Sequence, residues 1–398
     1  MIRTILSLSA IGLTLTTFAL GAFSESKGEK YLPFKYQELE DLEGNRDQAA
    51  GQIPRLITTL ESDDVNARLL AAVILGKVGD KAVDPVRARL GDKNAAMRYG
   101  CLLALALIGK EAARAADDVL PLLKDKDADV RNKAVYTLGK LGVQSDAVHA
   151  GLAKALEDSV VTETALEVLG KMDKLPKVTL DPLAKLATNG HESIRFSATR
   201  VLAKAGAASA PTFRELLKKT NINDRAKLFE AMLPLGKEAK VLTPELLDMV
   251  TDQVYPGGFI DGNLLKMVKD CGSDGAKGLA EILRSRNNDS IAFIARQSLL
   301  GTIGEMKGEA EAKASVPILI QLLKDNTPTH PVVEYRHLIL EALGEIGPPA
   351  KQAIPTVESL TKPNFNGLTA EQQKAAQNVS EVAAVTLRRL GKAEKRGD

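Results

Sequence analysis

The sequence predicts an all-α chain, a right-handed α-solenoid of about ten helix-turn-helix repeats. Two columns of residues carry that expectation. A closing residue recurs as Gly79, Gly109, Gly142, Asp173, Gly206, Gly236, Gly272, Gly304, Gly347 and Gly391, at spacings of 30 to 44 residues. Four residues before each, the chain reads Leu75, Leu105, Leu138, Leu169, Leu202, Met232, Val268, Leu300, Leu343 and Leu387, and the residue directly before each is also apolar. In a chain that is 44% hydrophobic, two unbroken apolar columns are far beyond chance. A period of this length is the mark of stacked helical repeats.

Residues 120–142, LPLLKDKDADVRNKAVYTLGKLG, show the unit most plainly. Pro121 suits the first turn of a short helix, where a missing N–H costs nothing. A polar turn follows, in which Asp127 or Asp129 is placed to cap the second helix. That helix carries Val130, Ala134, Leu138 and Leu141 at helical spacing, and Gly142 closes it. Neither helix is long enough to stand alone, so each pair must bury its apolar stripe against neighbouring copies.

Proline opening the first helix, Asp in the turn, Val-Arg entering the second and Leu-Gly-x-Leu-Gly ending it together resemble a HEAT repeat. The units of 30–33 residues are similar to the short HEAT-like repeats of the phycobilisome-lyase type. The resemblance covers residues 49–391 and is strongest in LGKVG, LALIG and LGKLG of the first three units. It weakens in unit seven, GFIDGNLLKMVKDCG, which lacks the Arg, and in unit nine, which carries an insertion. It implies an α-solenoid and a binding scaffold, and it implies no chemistry, because one fold hosts many functions.

Residues 1–24 read as a signal peptide. Arg3 supplies the positive end, Ile5 to Leu20 is apolar apart from Ser and Thr, and Ala19-Leu20-Gly21 or Ala22-Phe23-Ser24 offers the small residues of a cleavage site. Export is therefore expected, to the periplasm or the medium, with an uncleaved anchor as the lesser alternative. Residues 25–48 hold Tyr31, Leu32, Pro33, Phe34 and Tyr36 in an otherwise polar stretch. They form either a cap on the open end of unit one or a hook for a partner. The solenoid proper is read over residues 49–391, and residues 392–398 are a charged tail. Basic and acidic residues nearly cancel, 53 against 51, and are interspersed, which argues against a nucleic-acid surface. Cys101 and Cys271 fall at core positions in units two and seven, too far apart for a disulfide, and are expected to be buried thiols.

The second helices carry an arginine column, Arg68, Arg98, Arg131, Arg195, Arg225 and Arg336, eleven residues before the closing position. Asp64, Asn94, Asp127, Asp158, Asn221 and Asp289 lie fifteen before it. The arginines lie beside the apolar stripe, which predicts a ladder of bonds to carboxylates or carbonyls between repeats, with an anion-binding row as the alternative. The inner face of the solenoid is read at ten and six residues before the closing position. There the first three units present Leu69, Val73, Tyr99, Leu103 and Tyr136, an apolar-aromatic strip that either anchors a protein partner or lies under the N-terminal segment. From unit four the same positions are mostly charged, as Glu163, Glu167, Arg200, Glu230, Lys266 and Glu341, with Phe196, Ile294 and His337 among them.

Little in the sequence supports catalysis. Residues 252–263 and 325–335 are insertions, and Pro256-Gly257-Gly258 lacks the Lys-Ser or Lys-Thr that a phosphate loop needs. His330, Glu334 and His337 form the one cluster worth testing as metal ligands, but Pro331 disfavours helical geometry there. No metal, cofactor or catalytic residue is assigned. The expected function is an exported, non-catalytic scaffold that binds another protein along its concave face. The alternatives are a lyase-like or enzyme-accessory subunit of a larger complex, and a purely structural spacer.

Overall fold

A computed structural model describes residues 32–221, 224–254, 259–285, 291–324, 332–364, 366–367 and 369–391, with the backbone alone at 332–334. Every element among these residues is helical. The second helices of the ten repeats, α1 to α10, are Val65–Val78, Ala95–Ile108, Ala128–Leu141, Thr162–Lys171, Glu192–Ala203, Arg225–Met232, Gly262–Asp270, Phe293–Glu305, Val332–Ile346 and Ala370–Arg389. The chain divides into two compact units, one ending at Ile108 and the other beginning at Gly109. The fold is an all-α solenoid built from paired helices. Residues 1–24, Tyr31, Tyr255, Asn288, Asp289, His330 and the tail 392–398 lie outside the described residues, as does the side chain of Glu334.

In the first unit, the helix Tyr36–Glu43 packs against α1 with Leu39 and Leu42 buried. Phe34 is buried beneath the guanidinium of Arg55, 3.7 Å from its ring centre, and its N–H donates to Thr59 Oγ1 at 2.9 Å. Arg55 also donates to the Leu32 carbonyl and pairs with Glu38 at 3.0 Å. Leu32 itself is 80% exposed, so the aromatic cluster is not buried as a whole. The helix Arg46–Gly51 runs across the boundary read at residue 48.

In the second unit, α3 to α10 alternate with first helices such as Asp146–Ala155, Leu180–Asn189 and Ala210–Lys219. The turns follow the expected chemistry. Asp127, rather than Asp129, accepts the N–H groups of Asp129 and Val130, as Asp64 does for Asn66 and Ala67 in the first unit. Pro121 stands in the first turn of its own segment, as expected, but that segment is not a separate α-helix. Helical turns already run from Gly109, and the proline sits in a tighter 3-10 segment, Leu120–Lys124.

Gly142 ends α3 in the left-handed region, φ 69°, and seven other closing glycines share a positive φ. Two repeats depart from this. Asp173 has a Cβ and does not adopt that conformation, so α4 stops at Lys171 and Met172 is extended. In repeat eight α8 runs on through Gly304 to Glu305, so Gly304 is not a cap.

The other glycine of the Leu-Gly-x-Leu-Gly signature sits three residues before the closing position, where it lets successive second helices touch. A Cβ on Gly139 of α3 would lie 2.7 Å from Val168 Cγ2 of α4, and one on Gly76 of α1 would lie 2.6 Å from Leu107 Cβ of α2. At Gly301 of α8 the same column is open, with nothing within 4 Å. Both cysteines are free and buried, and burial pushes the Cys101 thiol up to about 12.

The two kinds of glycine are expected to respond oppositely to one substitution. Gly139→Ala must displace Val168 and should cost about 1–3 kcal/mol. Gly301→Ala meets no obstacle and should raise stability by about 0.5–1 kcal/mol through helix propensity. Urea denaturation of the two variants checks both signs.

Candidate partner-binding groove

The arginine column acts chiefly inside each turn. Arg68 donates to the carbonyl of Ser62, Arg98 to those of Asp92 (2.8 Å) and Lys93 (3.1 Å), and Arg131 to those of Asp125 (3.0 Å) and Lys126 (3.4 Å). These contacts correct the reading of a purely inter-repeat ladder. The carbonyls of the tight turn lack helical partners, and an arginine one turn into the second helix lies closest to them. Two members do reach across. Arg131 Nε donates to Asp158 Oδ2 at 2.7 Å in the next turn, and Arg225 approaches Asp252 at 3.6 Å in the following repeat. Arg195 is exposed and Arg336 is half-buried.

The five strip residues divide between the two units. Leu69, Val73 and Tyr99 in the first unit are half-buried. Leu103 is only 3% exposed, which corrects its assignment as a partner anchor. The helix α2 is apolar on nearly every side, with Leu102, Leu103, Ala104, Leu105 and Ala106 all buried, so the inner-face column there belongs to the core. The run LLALALI carried that signal in the sequence. Tyr136 in the second unit is half-buried, and the ammonium groups of Lys133 and Lys140 lie 4.9 and 5.3 Å from its ring centre. Burial lowers the Lys133 ammonium below the ordinary lysine range.

The second unit also holds an open groove of about 450 Å³ between α4 and α5. Leu166 and Val201 form its buried floor, with Ile194 and Phe196 half-exposed beside them. Glu163 and Glu167 line one wall, and Arg200, Ser193 and Ser197 line the other. Glu167 pairs with Lys171 one turn on, whereas Glu163 and Arg200 are exposed and carry no ion pair among the described residues. The spacing of the helices explains the opening. A Cβ on Gly170 of α4 would meet Val201 at 3.5 Å, ordinary contact, where the equivalent Gly139 would collide with its neighbour.

Glu163, Glu167, Phe196 and Arg200 were legible from the inner-face columns. Leu166, Ile194, Val201 and the two serines were not, because they face the gap only through the separation of α4 from α5. The lining holds no histidine, cysteine or lysine. Among the described residues no group of three His, Cys, Asp or Glu side chains could hold a metal ion, and no helix is long and apolar enough to cross a membrane. An apolar floor with separated charges on its walls is suited to hold a segment of polypeptide.

Stacked helix pairs with an open groove between second helices define the chain as a repeat solenoid. The family profile described as HEAT repeats matches residues 53–138 of the chain. No curated protein matches it. Among solved structures it is similar to Kap121p bound to Nup53p, with TM-score 0.52, 14% identity, and 89% of this chain and 42% of that one covered. It is similar to Kap121p bound to Ste12p at TM-score 0.51 and 15% identity, with the same coverage. Importin beta in an ammonium sulfate condition matches at TM-score 0.47 and 13% identity, covering 89% of this chain and 55% of that one. The chain thus spans about half the length of these three structures, and at these identities the likeness concerns the fold.

The Arg131–Asp158 bridge sets a pH response. The Arg131 guanidinium, helped by the Val160 N–H, holds the Asp158 carboxyl below the usual carboxylate range. A lowered folded pKa gives stability that is present above the unfolded value, about 3.9, and is lost as pH falls through the folded one. Asp158→Asn should therefore be less stable than the wild type near neutral pH, with the gap closing in acid. Urea midpoints measured from neutral pH down to the acid limb check this.

Proposed function

We propose that the protein is an exported, non-catalytic scaffold that binds another protein along the inner face of its repeats, with the groove between α4 and α5 as a docking point. The observation that carries this reading is the groove itself. It joins a buried apolar floor, Leu166 and Val201, to the half-exposed Phe196 and to two charges, Glu163 and Arg200, that lack ion pairs among the described residues. A bound polypeptide segment would cover the apolar surface and answer both charges. The fold is one in which Kap121p holds Nup53p and Ste12p. A lining without histidine, cysteine or lysine favours binding over catalysis. Export rests on residues 1–24 of the sequence, with their basic start, apolar core and small residues at the end.

A photocrosslinking residue placed at Phe196 in the native host should yield one discrete heavier species, and one placed at Lys185 on the helix Leu180–Asn189 should yield none. Equal yields from both, or none from Phe196, would remove the groove from the account. Phe196→Ala should weaken the captured partner's affinity about ten-fold or more.

The export component has its own readout. The mature protein should begin just after residue 24 and should fractionate outside the cytoplasm, and an intact Met1 in a cytoplasmic fraction would sink it.

A further inference from the structure

Eight residues before the closing position, the second helices bury an apolar side chain in nine of the ten repeats, as at Ala71, Ala134, Leu264 and Ile339. Repeat eight breaks the column. It carries Arg296, 5% exposed, while the ordinary arginine position one turn earlier holds Phe293, 50% exposed. A cation has moved into the core and an aromatic ring has moved out.

The guanidinium of Arg296 lies over the ring of Tyr335 on α9, 4.4 Å from its centre, and Tyr335 is 2% exposed. Stacking engages the face of a guanidinium and leaves its N–H edge to be satisfied. Nη2 of Arg296 is buried and has no hydrogen-bond partner among the described residues. No described carboxylate forms an ion pair with it. Arg98 is buried to the same extent but gives its Nη1 to two turn carbonyls, so burial alone does not leave an arginine unanswered in this fold. A guanidinium cannot shed its proton, and one aromatic face does not replace a counter-ion. On the surface beside this pair, Phe293 of α8 stacks on His337 of α9 with ring centres 6.4 Å apart.

We propose that Arg296 is the recognition group of an oxyanion site between α8 and α9, taking a carboxylate or phosphoryl group of a ligand with the N–H edge that Tyr335 leaves open. Two oxygens of a carboxylate or phosphoryl group match that planar edge and supply the missing charge together with the missing acceptor.

Thermal unfolding of the full chain, titrated with inorganic phosphate or with acetate at constant ionic strength, tests the site. The wild-type transition should rise with the logarithm of anion concentration above Kd, by about 3–5 °C at a hundred-fold excess. Phosphate acting alone defines a phosphoryl ligand, and acetate acting as well defines a carboxylate. Arg296→Met should abolish the response and should unfold no lower than the wild type in anion-free buffer. Arg296→Lys, which keeps the charge and loses the fork, should respond only at several-fold higher anion concentration and serves if the methionine variant does not fold. A wild-type transition indifferent to both anions overturns the proposal. A response unchanged in either variant overturns it too.

Discussion

Contact between successive second helices is the constraint on which the repeats depend. Each helix is only two to five turns long and cannot hold its shape by backbone bonding alone. It persists because its apolar stripe is pressed against the next copy, and the approach is close enough that a single Cβ at Gly76 or Gly139 would collide with the neighbour. The glycines at those positions give up helix propensity in exchange for contact. Where the approach relaxes, as between Gly170 and Val201, the surface opens into a groove.

The turns answer a second requirement, that the backbone groups freed at each reversal find partners. Aspartates such as Asp64 and Asp127 take the N–H groups at the start of the second helix, and Arg68, Arg98 and Arg131 take the turn carbonyls. The turn is thereby satisfied from both sides by side chains of its own repeat. Arg131 extends the arrangement to Asp158, so one local device also ties two repeats together.

The places that invite a functional reading are those where the repeat departs from its own rule. Asp173 replaces the closing glycine beside the helix that forms one wall of the groove, and α4 ends without the usual left-handed cap. Repeat eight exchanges a core apolar residue for Arg296 and runs its helix past Gly304. A chain whose levels of structure agree elsewhere and disagree at a few positions is spending stability there. Protein binding at the groove and anion binding at Arg296 are separate readings of two such departures.

The helical class, the repeat count and the capping residues were determined by the sequence, because helical periodicity and turn chemistry act within about four residues. The shared helix faces that bring Glu163, Glu167, Phe196 and Arg200 to one groove followed from the same periodicity. The burial of Leu103, the inward turn of the arginines toward their own carbonyls, the opening between α4 and α5 and the partnerless edge of Arg296 were decided only in the tertiary structure. Each depends on how far one helix stands from the next and on which atoms of a distant residue fill the space between them. A one-dimensional pattern shows which face a residue occupies. It does not carry the distance to what lies opposite.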